Sequence, residues 1–314
     1  GRRAERWEGG DGMTRISGLI NTLNEAENIR FAVASLVTWC DEVLVVDQGS
    51  EDGTAEIARA AGARVETLPR AGWVEAVRAQ SVEMTTGDWV LVLDADEVVH
   101  PKLGPRLREI AESGDWDSVR IPRRNIILGR WLRSGQWWPN NKRRFFRKGT
   151  VDIRPEIHRG LLALPGTREL KLPADPELAL WHYSYHTLDD LVAKSNRYTS
   201  VQARIRTSGK KRLGPRRWLR ATLRATWDEV IAGRAWRDGP EGIAVAVTRV
   251  FDRFIVQAKE WDEPRARVRL DAYRIGKAEL LGIDPGPAPE RASLPGEGVR
   301  GDRRPGRVDV EDAG

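Results

Sequence analysis

The chain has 314 residues, of which 52 are Lys or Arg and 46 are Asp or Glu, so its net charge is +6 and its isoelectric point is near 9.6. Its 40% hydrophobic content is enough for a sizeable core, in one large domain or in a domain with an appendage. A single cysteine, Cys40, excludes an internal disulfide framework and a cysteine-based metal site. With no signal-peptide core and no run of about 18 uncharged apolar residues, we expect neither secretion nor membrane spanning.

Strands and helices alternate through the first hundred residues. RISGLINT predicts a strand, and NEAENIRFAVASLVTW predicts a helix because its apolar residues recur at the spacing of one helix face. DEVLVVD and RVETL predict two more strands around the helix AEIARAAG, and the helix WVEAVRAQSVEM precedes the apolar strand WVLVLD. The alternation predicts an α/β fold, a mostly parallel sheet with flanking helices on both faces.

Polar residues follow the ends of these strands, where ligands bind in parallel α/β sheets. They are Thr22 and Glu25 after the first strand, Asp47 after the second, and Asp94, Asp96 and Glu97 after the fourth. Taken singly, Glu25 could serve only the start of a helix and Asp47 only a turn. The three acids after the fourth strand are harder to explain in this way.

These three acids lie beside each other, and no basic residue follows before Lys102. Their mutual repulsion would destabilise the fold unless opposite charge is supplied. Mg²⁺ or Mn²⁺ is held by one or two carboxylates and completes its shell with water and phosphate oxygens. Such an ion also neutralises charge on a departing diphosphate. The D-x-D at the end of this strand therefore predicts a divalent-metal site for a diphosphate-bearing ligand.

Four segments in this order, INTLNEAENI, DEVLVVDQGSEDGTAEIA, GDWVLVLDADEVV and IPRRNIILGRWLRSGQWWPNNKRRFFRKG, resemble the family 2 inverting glycosyltransferases of GT-A fold. The nearest resemblance is to the branch of lipopolysaccharide core β-glucosyltransferases, and it runs from about Arg15 to about Tyr198. The resemblance implies that the donor is bound by Thr22, Glu25, Asp47, Arg78 and Asp94. It also implies that Asp96 is the principal metal ligand, with Asp94 beside it.

The chain departs from that family at two positions. Ala79 stands where an Asn is usual, and Arg159 follows His158 where many relatives have a Glu. Inversion needs a base that takes a proton from the acceptor hydroxyl. Glu156 and His158 are the candidate catalytic residues for that step, although His158 could instead be a hydrogen-bonded structural histidine.

The region from Arg120 to Lys148 interleaves arginines with large aromatic residues. The aromatic residues are Trp131, Trp137, Trp138, Phe145 and Phe146. They predict either an acceptor-binding flap or a solvated strand-loop surface with aromatic residues in the core. In LWHYSYH, His182 and His186 alternate along a predicted strand, which leaves a phosphate-facing role open for His182.

The second half of the chain is strongly basic, with no acidic residue between Asp190 and Asp228. Segment 207–224 predicts a helix at an anionic membrane interface, and the apolar stripe over 243–258 predicts an amphipathic helix packed on the catalytic domain. We expect four parts: a disordered tail at 1–13, a glycosyltransferase domain at 14–200, a helical basic extension at 201–282 and a disordered tail at 283–314.

These features predict an inverting, metal-dependent enzyme that moves a sugar from a nucleoside-diphosphate sugar to a saccharide or glycolipid acceptor of the cell envelope. We expect a cytoplasmic protein, peripheral on the inner face of the plasma membrane. One alternative is transfer to a polyprenyl phosphate, which needs little base catalysis. Another is a basic nucleic-acid binder on a borrowed α/β fold, although no nucleic-acid module appears and nucleic acid is not an expected partner. A nucleotide-binding scaffold without catalysis is a further alternative.

Overall fold

The computed structural model describes residues 14–70, 75–153, 160–207 and 215–287. Within these ranges lie thirteen β-strands and seven α-helices. Several predictions fall outside them: the tail at 1–13, the candidate bases Glu156 and His158, residues 208–214 of the basic segment and residues 288–314 of the second tail.

The largest sheet among the described residues has seven strands. In spatial order they are β12 (Glu169–Lys171), β6 (Ser118–Ile121), β9 (Lys142–Arg147), β4 (Trp89–Asp94), β1 (Ile16–Thr22), β2 (Glu42–Asp47) and β3 (Arg64–Thr67). Strands β3, β2, β1 and β4 are parallel, as their alternation with helices predicts. Strand β9 runs antiparallel between β4 and β6.

Helices cover both faces of this sheet. They are α1 (Ile29–Ala34), α2 (Thr54–Ala60), α3 (Glu75–Glu83) and α4 (Leu103–Ser113). Side chains alternate along the strands, so Leu91 and Leu93 of β4 pack with α1, α2 and α4, while Val90 and Val92 pack with α3. Two cores on opposite faces explain why the β4 sequence is apolar throughout.

Helix α1 is shorter than the sequence predicts. After Ala34 the chain continues in turns, with the backbone N–H of Leu36 donating to the carbonyl of Val33 at 2.9 Å. The hydroxyl of Ser35 donates to the carbonyl of Ala32 at 2.7 Å and accepts from the backbone N–H of Val99 at 3.1 Å. Side-chain bonds of this kind compete with a continued helix, and this one ties the end of α1 to the neighbouring sheet.

A second sheet has four strands, and a separate two-stranded ribbon packs on the large sheet. The strands are β5 (Glu97–Val99), β13 (Leu180–Ser184), β7 (Arg123–Ile127) and β8 (Arg130–Trp131), with β10 (Val151–Ile153) and β11 (Leu161–Ala163) in the ribbon. In register, His182 of β13 stands between Glu97 of β5 and Asn125 of β7. The pairing therefore brings a histidine to the carboxylates that follow β4.

Two of the aromatic residues of the predicted acceptor flap are not available to a ligand. Phe145 and Phe146 are fully buried in the two cores of the large sheet, so the flap prediction is wrong for both. The guanidinium carbon of Arg124 lies 4.1 Å from the ring centre of Trp131 and 3.9 Å from that of Trp181. Cation–π contacts of this kind stabilise the second sheet.

From Leu188 onward, the described part of the chain forms a helical layer in which α7 is the longest helix. Its elements are α5 (Leu188–Thr207), α6 (Pro215–Thr226), a π-helix (Trp227–Ala232), a short 3₁₀ helix (Ala235–Asp238) and α7 (Gly239–Leu281). The buried carboxylate of Asp238 accepts from the backbone N–H groups of Arg133 at 3.0 Å and Ser134 at 2.7 Å. Helix α5 runs through residue 200, so the domain boundary predicted there stays a prediction.

The apolar stripe of α7 differs from expectation. Ile243, Val247, Phe251 and Phe254 are between 40 and 55% exposed, so these four side chains do not form the predicted packing face. The helix does pack on the catalytic domain, but through Val245, which is buried with Ile127 and Leu132. Among the described helices, none has the length and apolar character that crossing a membrane requires.

Candidate active site

Asp94, the last residue of β4, is held by two arginines. Nη1 of Arg144 donates to Oδ1 at 3.1 Å, Nη2 of Arg144 bonds Oδ2, and Nη2 of Arg78 donates to Oδ1 at 3.3 Å. Burial alone would raise the pKa of Asp94, but Arg144 and Arg78 hold it well below its usual range. The carboxylate is therefore ionised and fixed in orientation.

Glu97 lies beneath this pair with no exposed surface. Its Oε1 atom is 3.3 Å from Nη1 of Arg123 and 3.4 Å from Nη2 of Arg144, and its Oε2 atom accepts from the backbone N–H of Asp94 at 3.1 Å. A buried carboxylate that accepts hydrogen bonds from several donors holds those donors in position. We therefore assign Glu97 to holding Asp94 and Arg144 in place.

Asp96 faces a histidine. Oδ2 of Asp96 is 3.3 Å from Nε2 of His182 and 3.9 Å from Nζ of Lys194. Burial alone would raise the pKa of Asp96, but His182 and Lys194 lower it. The carboxylate is ionised and close to a second group that can bind a metal.

Asn125 fixes the orientation of His182. Nδ2 of the buried Asn125 donates to the carbonyl of Trp137 at 2.9 Å, so Oδ1 is the atom that meets Nδ1 of His182, also at 2.9 Å. Because an amide oxygen only accepts, Nδ1 carries the proton. Nε2 of His182 is then the atom that faces Asp96: it can donate to the carboxylate, and loss of that proton would leave a lone pair for a metal, which is how second-shell groups prepare a metal-binding histidine.

Positive charge exceeds negative charge around these acids. Three guanidinium groups, those of Arg78, Arg123 and Arg144, face the carboxylates of Asp94 and Glu97. Burial together with repulsion from Arg123 and Arg144 lowers the pKa of Lys142 nearby. A site of this charge is suited to an anionic ligand such as a diphosphate.

The predicted donor-binding residues lie at the ends of neighbouring strands. Thr22 of β1 pairs in register with Asp47 of β2, and Asn21 pairs with Asp94. Thr22 is buried, and no group in the described part of the chain hydrogen-bonds its Oγ1 atom. Since an unpaired buried hydroxyl costs free energy, this atom is suited to meeting a ligand.

Asp47 and Glu25 have partners of their own. Oδ2 of Asp47 accepts from the backbone N–H groups of Gly49 at 3.1 Å and Ser50 at 2.9 Å, which is the turn role that the sequence left open. Oε2 of Glu25 accepts from Nδ2 of Asn28 at 2.8 Å. Burial, and to a smaller extent the charge of Asp96, raises the pKa of Glu25 despite that bond. Donor contacts by both acids stay predictions.

A cavity of about 970 Å³ opens beside Asp96. On the side of α1 its lining includes Phe31, Ala34 and Trp39, and on the other side Val98, Pro101 and Pro105, with Tyr183 and His186 completing it. Most of this lining is apolar. Of the three acids that follow β4, Asp96 is the one that also lines the cavity, and Asn28, which donates to Glu25, lies on the cavity wall.

Two comparisons with known proteins identify the family. A model described as Glycosyl transferase family 2 matches residues 17–160. The chain is 30% identical over 207 residues to an uncharacterized glycosyltransferase of Rickettsia typhi. The aligned region covers 63% of this chain and 70% of that relative. The chain belongs to glycosyltransferase family 2. The family match and the sheet described above confirm the predicted GT-A fold with additional C-terminal helices.

This family 2 glycosyltransferase has further relatives. It is 24% identical over 276 residues to the lipopolysaccharide core biosynthesis glycosyltransferase LpsC of Rhizobium meliloti, covering 81% of this chain and 94% of LpsC. A solved structure, glucosyl-3-phosphoglycerate synthase from Mycobacterium tuberculosis with Mg²⁺ and uridine diphosphate, is 28% identical over 35% of this chain and 44% of that chain, with a TM-score of 0.32. A TM-score this low supports no conclusion about this glycosyltransferase.

The sequence missed the groups that neutralise the acids of this glycosyltransferase. The sequence predicts no positive charge near these acids because no basic residue follows them closely along the chain. The structure supplies that charge from other elements: Arg144 comes from β9, Arg123 from β7 and Arg78 from α3. That premise for a metal is therefore wrong. For Arg123 and Arg144 the signal lies in the arginine-rich stretch 120–148, for which the sequence predicts either an acceptor-binding flap or a solvated surface.

Proposed function

We propose that this chain is an inverting, metal-dependent glycosyltransferase that moves a sugar from a nucleoside-diphosphate donor to an envelope glycan or glycolipid. The observation that carries the proposal is the pair of Asp96 and His182, 3.3 Å apart, beside the arginine-held Asp94. The name of LpsC, a lipopolysaccharide core biosynthesis enzyme, supports the cell envelope as the destination.

The residues present fit a divalent ion in one arrangement. Both oxygens of Asp94 are bound by Arg144, so the ion would be held by Asp96 and Nε2 of His182. Among the described residues no group of three or more acids, histidines or cysteines is arranged to hold a metal. A two-residue site suits Mg²⁺ or Mn²⁺, which keep waters and take phosphate oxygens from the substrate. Bound there, such an ion supplies Lewis-acid stabilisation of a departing diphosphate.

The chain's own residues orient the reactants. Arg78 and Arg144 fix Asp94 for contact with the ribose and diphosphate, and the orphan hydroxyl of Thr22 meets the donor at the end of β1. Lys194, 3.9 Å from Asp96, places positive charge where the diphosphate leaves. Deprotonation of the acceptor by Glu156 or His158 stays a prediction.

The apolar cavity beside Asp96 favours an acceptor with an apolar part. Such a lining buries hydrocarbon better than it binds a bare saccharide. A glycolipid and a polyprenyl phosphate both fit this description, and they differ in the attacking atom. A hydroxyl of a glycolipid needs a base, whereas a phosphate oxygen does not.

Thermal unfolding with a panel of UDP, GDP, ADP and dTDP, each with and without Mn²⁺, tests the proposal. A nucleotide at about 100 times its Kd stabilises the protein by about 2.7 kcal/mol. We expect one nucleotide to act in this way with Mn²⁺, and the metal-dependent part to vanish in Asp96→Asn and in His182→Ala. The exposed Asp115→Asn is the matched control. Stabilisation that is equal with and without Mn²⁺ would overturn the metal site.

A further inference from the structure

Two helices of the C-terminal layer expose rows of large apolar side chains. Leu219, Leu223 and Trp227, each one helical turn from the next, are between 59 and 62% exposed. On α7, the exposed row is Ile243, Val247, Phe251 and Phe254. Contiguous apolar surface of this extent marks a place where something else binds.

The two rows form one surface. The rings of Trp218 and Phe254 stack at 4.9 Å and Glu229 pairs with Arg249 at 3.0 Å, so α6 and α7 lie side by side and run antiparallel. At about 100° per residue, Leu219 lies about 100° around α6 from Trp218. On α7, the row lies about 50–130° from the direction midway between Phe254 and Arg249, in the same rotational sense. In antiparallel helices that places them on the same side of the pair. We call Leu219, Leu223, Trp227 and the exposed row of α7 the helical-layer surface.

Arginines border this surface. Arg216, Arg220 and Arg224 are exposed and alternate with the leucines, and α6 contains no acidic residue. The nearest exposed acid along the chain is Asp228, 3.6 Å from Arg224. A helix that merely faced water would be expected to mix both signs of charge. This one combines apolar side chains with positive charge.

The combination of apolar side chains and positive charge indicates which kind of partner binds this surface. In a two-fold dimer the same surface meets itself, so three arginines of each copy would face one exposed acid, Asp228, which already pairs with Arg224. Nucleic acid would satisfy the arginines and leave the apolar rows in water. An anionic bilayer satisfies both, because apolar side chains enter the acyl boundary while arginines meet phosphates.

We infer that the helical-layer surface binds an anionic lipid bilayer, with α6 and the first part of α7 lying in its interface. This inference does not depend on the proposed sugar transfer. It also extends beyond the segment 207–224, since α7 contributes four of the seven apolar side chains.

Flotation of the full chain with vesicles tests the inference. The probes are vesicles of phosphatidylcholine alone and of phosphatidylcholine with phosphatidylglycerol. We expect binding to the anionic vesicles that weakens in high salt. Each Arg→Gln change at Arg216, Arg220 or Arg224 should weaken partitioning roughly fivefold, and the double variant L219S/L223S should lose most of it.

Matched controls separate this surface from general effects. The double variant L162S/L164S removes two leucines that are 39 and 40% exposed on and beside β11, and Arg59→Gln removes an exposed arginine on α2. Both should bind vesicles as the wild type does. Equal losses of vesicle binding in the controls would overturn the inference. So would light scattering that shows a stable dimer, if this dimer does not bind vesicles and dissociates in L219S/L223S.

Discussion

Nδ1 of His182 meets Oδ1 of Asn125 at 2.9 Å, while Nε2 of the same ring faces Oδ2 of Asp96 at 3.3 Å. One side of the imidazole is thus fixed by a buried amide, and the other is directed at a carboxylate. The relationship joins two strands of the second sheet, β7 and β13, to the turn after β4, and it makes a strand histidine a candidate metal ligand.

Asn125→Ala should weaken Mn²⁺ binding about 10- to 100-fold, because the ring of His182 would lose the partner that fixes its tautomer. Electron paramagnetic resonance titration of Mn²⁺ measures this without any reaction. Gln136→Ala, which removes an exposed amide on a nearby loop, is the control and should leave the affinity unchanged. Unaltered affinity in Asn125→Ala would show that His182 does not need this support.

Arg144→Met should lower the free energy of unfolding by about 3–5 kcal/mol, because Glu97 is fully buried and would lose a charged partner. Urea denaturation followed by circular dichroism measures the change. Arg120→Met is the control, since it breaks an exposed pair with Glu169 and should cost at most about 1 kcal/mol. Adding Glu97→Gln to Arg144→Met should recover part of the loss, and a further loss would contradict the assigned role of Glu97.

Glu42 should make the stability of the sheet dependent on pH. Burial alone would raise its pKa, but hydrogen bonds from Ser17, Thr86 and Arg64 lower the pKa to about 2. A carboxyl with a lowered folded pKa stabilises the fold above its unfolded pKa, near 4.3. That contribution, about 2 kcal/mol after allowance for solvent screening, is lost as the pH falls from there towards 2.

Urea denaturation of Glu42→Gln and wild type at several pH values checks this prediction. The difference between them should be largest near pH 6 and should shrink below pH 4. Glu66→Gln is the matched control, because Glu66 binds the same Arg64 at the surface. A difference that is constant with pH would rule out the titration of Glu42 as its cause.

Ala34→Trp should fill the cavity beside Asp96 and block acceptors that carry an apolar chain. Ala34 lines the cavity and is exposed to it, so the larger side chain can be accommodated without repacking the core. We expect a rise in KM for a lipid-linked acceptor, with unchanged Mn²⁺-dependent nucleotide binding. Ala60→Trp on α2 is the control for adding a large exposed side chain. Equal loss of nucleotide binding would mean that the cavity belongs to the donor.

The first half of the fold could be predicted because its strands and helices follow one another along the chain. The apolar run of β4 and the acids after it located one edge of the site, and the order of the motifs indicated the family. His182 and Asn125 lie about 60 residues apart, and their meeting depends on the parallel register of β13 and β7. Sequence periodicity carries no information about that register, which is why the role of Asn125 was not foreseen.

The same limit applies to the charges. The buried Arg144 precedes the buried Phe145 in a strand whose antiparallel pairing with β4 the sequence does not predict, and that pairing brings it to Asp94. The exposed row on α7 was misread for a related reason. Its period is that of any amphipathic helix, and only the packing of α5 and α6 decides which face remains uncovered.

Asp238 joins the helical layer to the second sheet through the backbone of Arg133 and Ser134. The helices that carry the proposed bilayer contact are therefore packed on the strands that carry Asn125 and His182, and Val245 of α7 is buried with Ile127 of β7. If these helices rest on a membrane, their packing sets the height of Asp96 above the lipid. The enzyme would then select acceptors by length, because only a sugar held at that distance from the lipid surface could reach the donor.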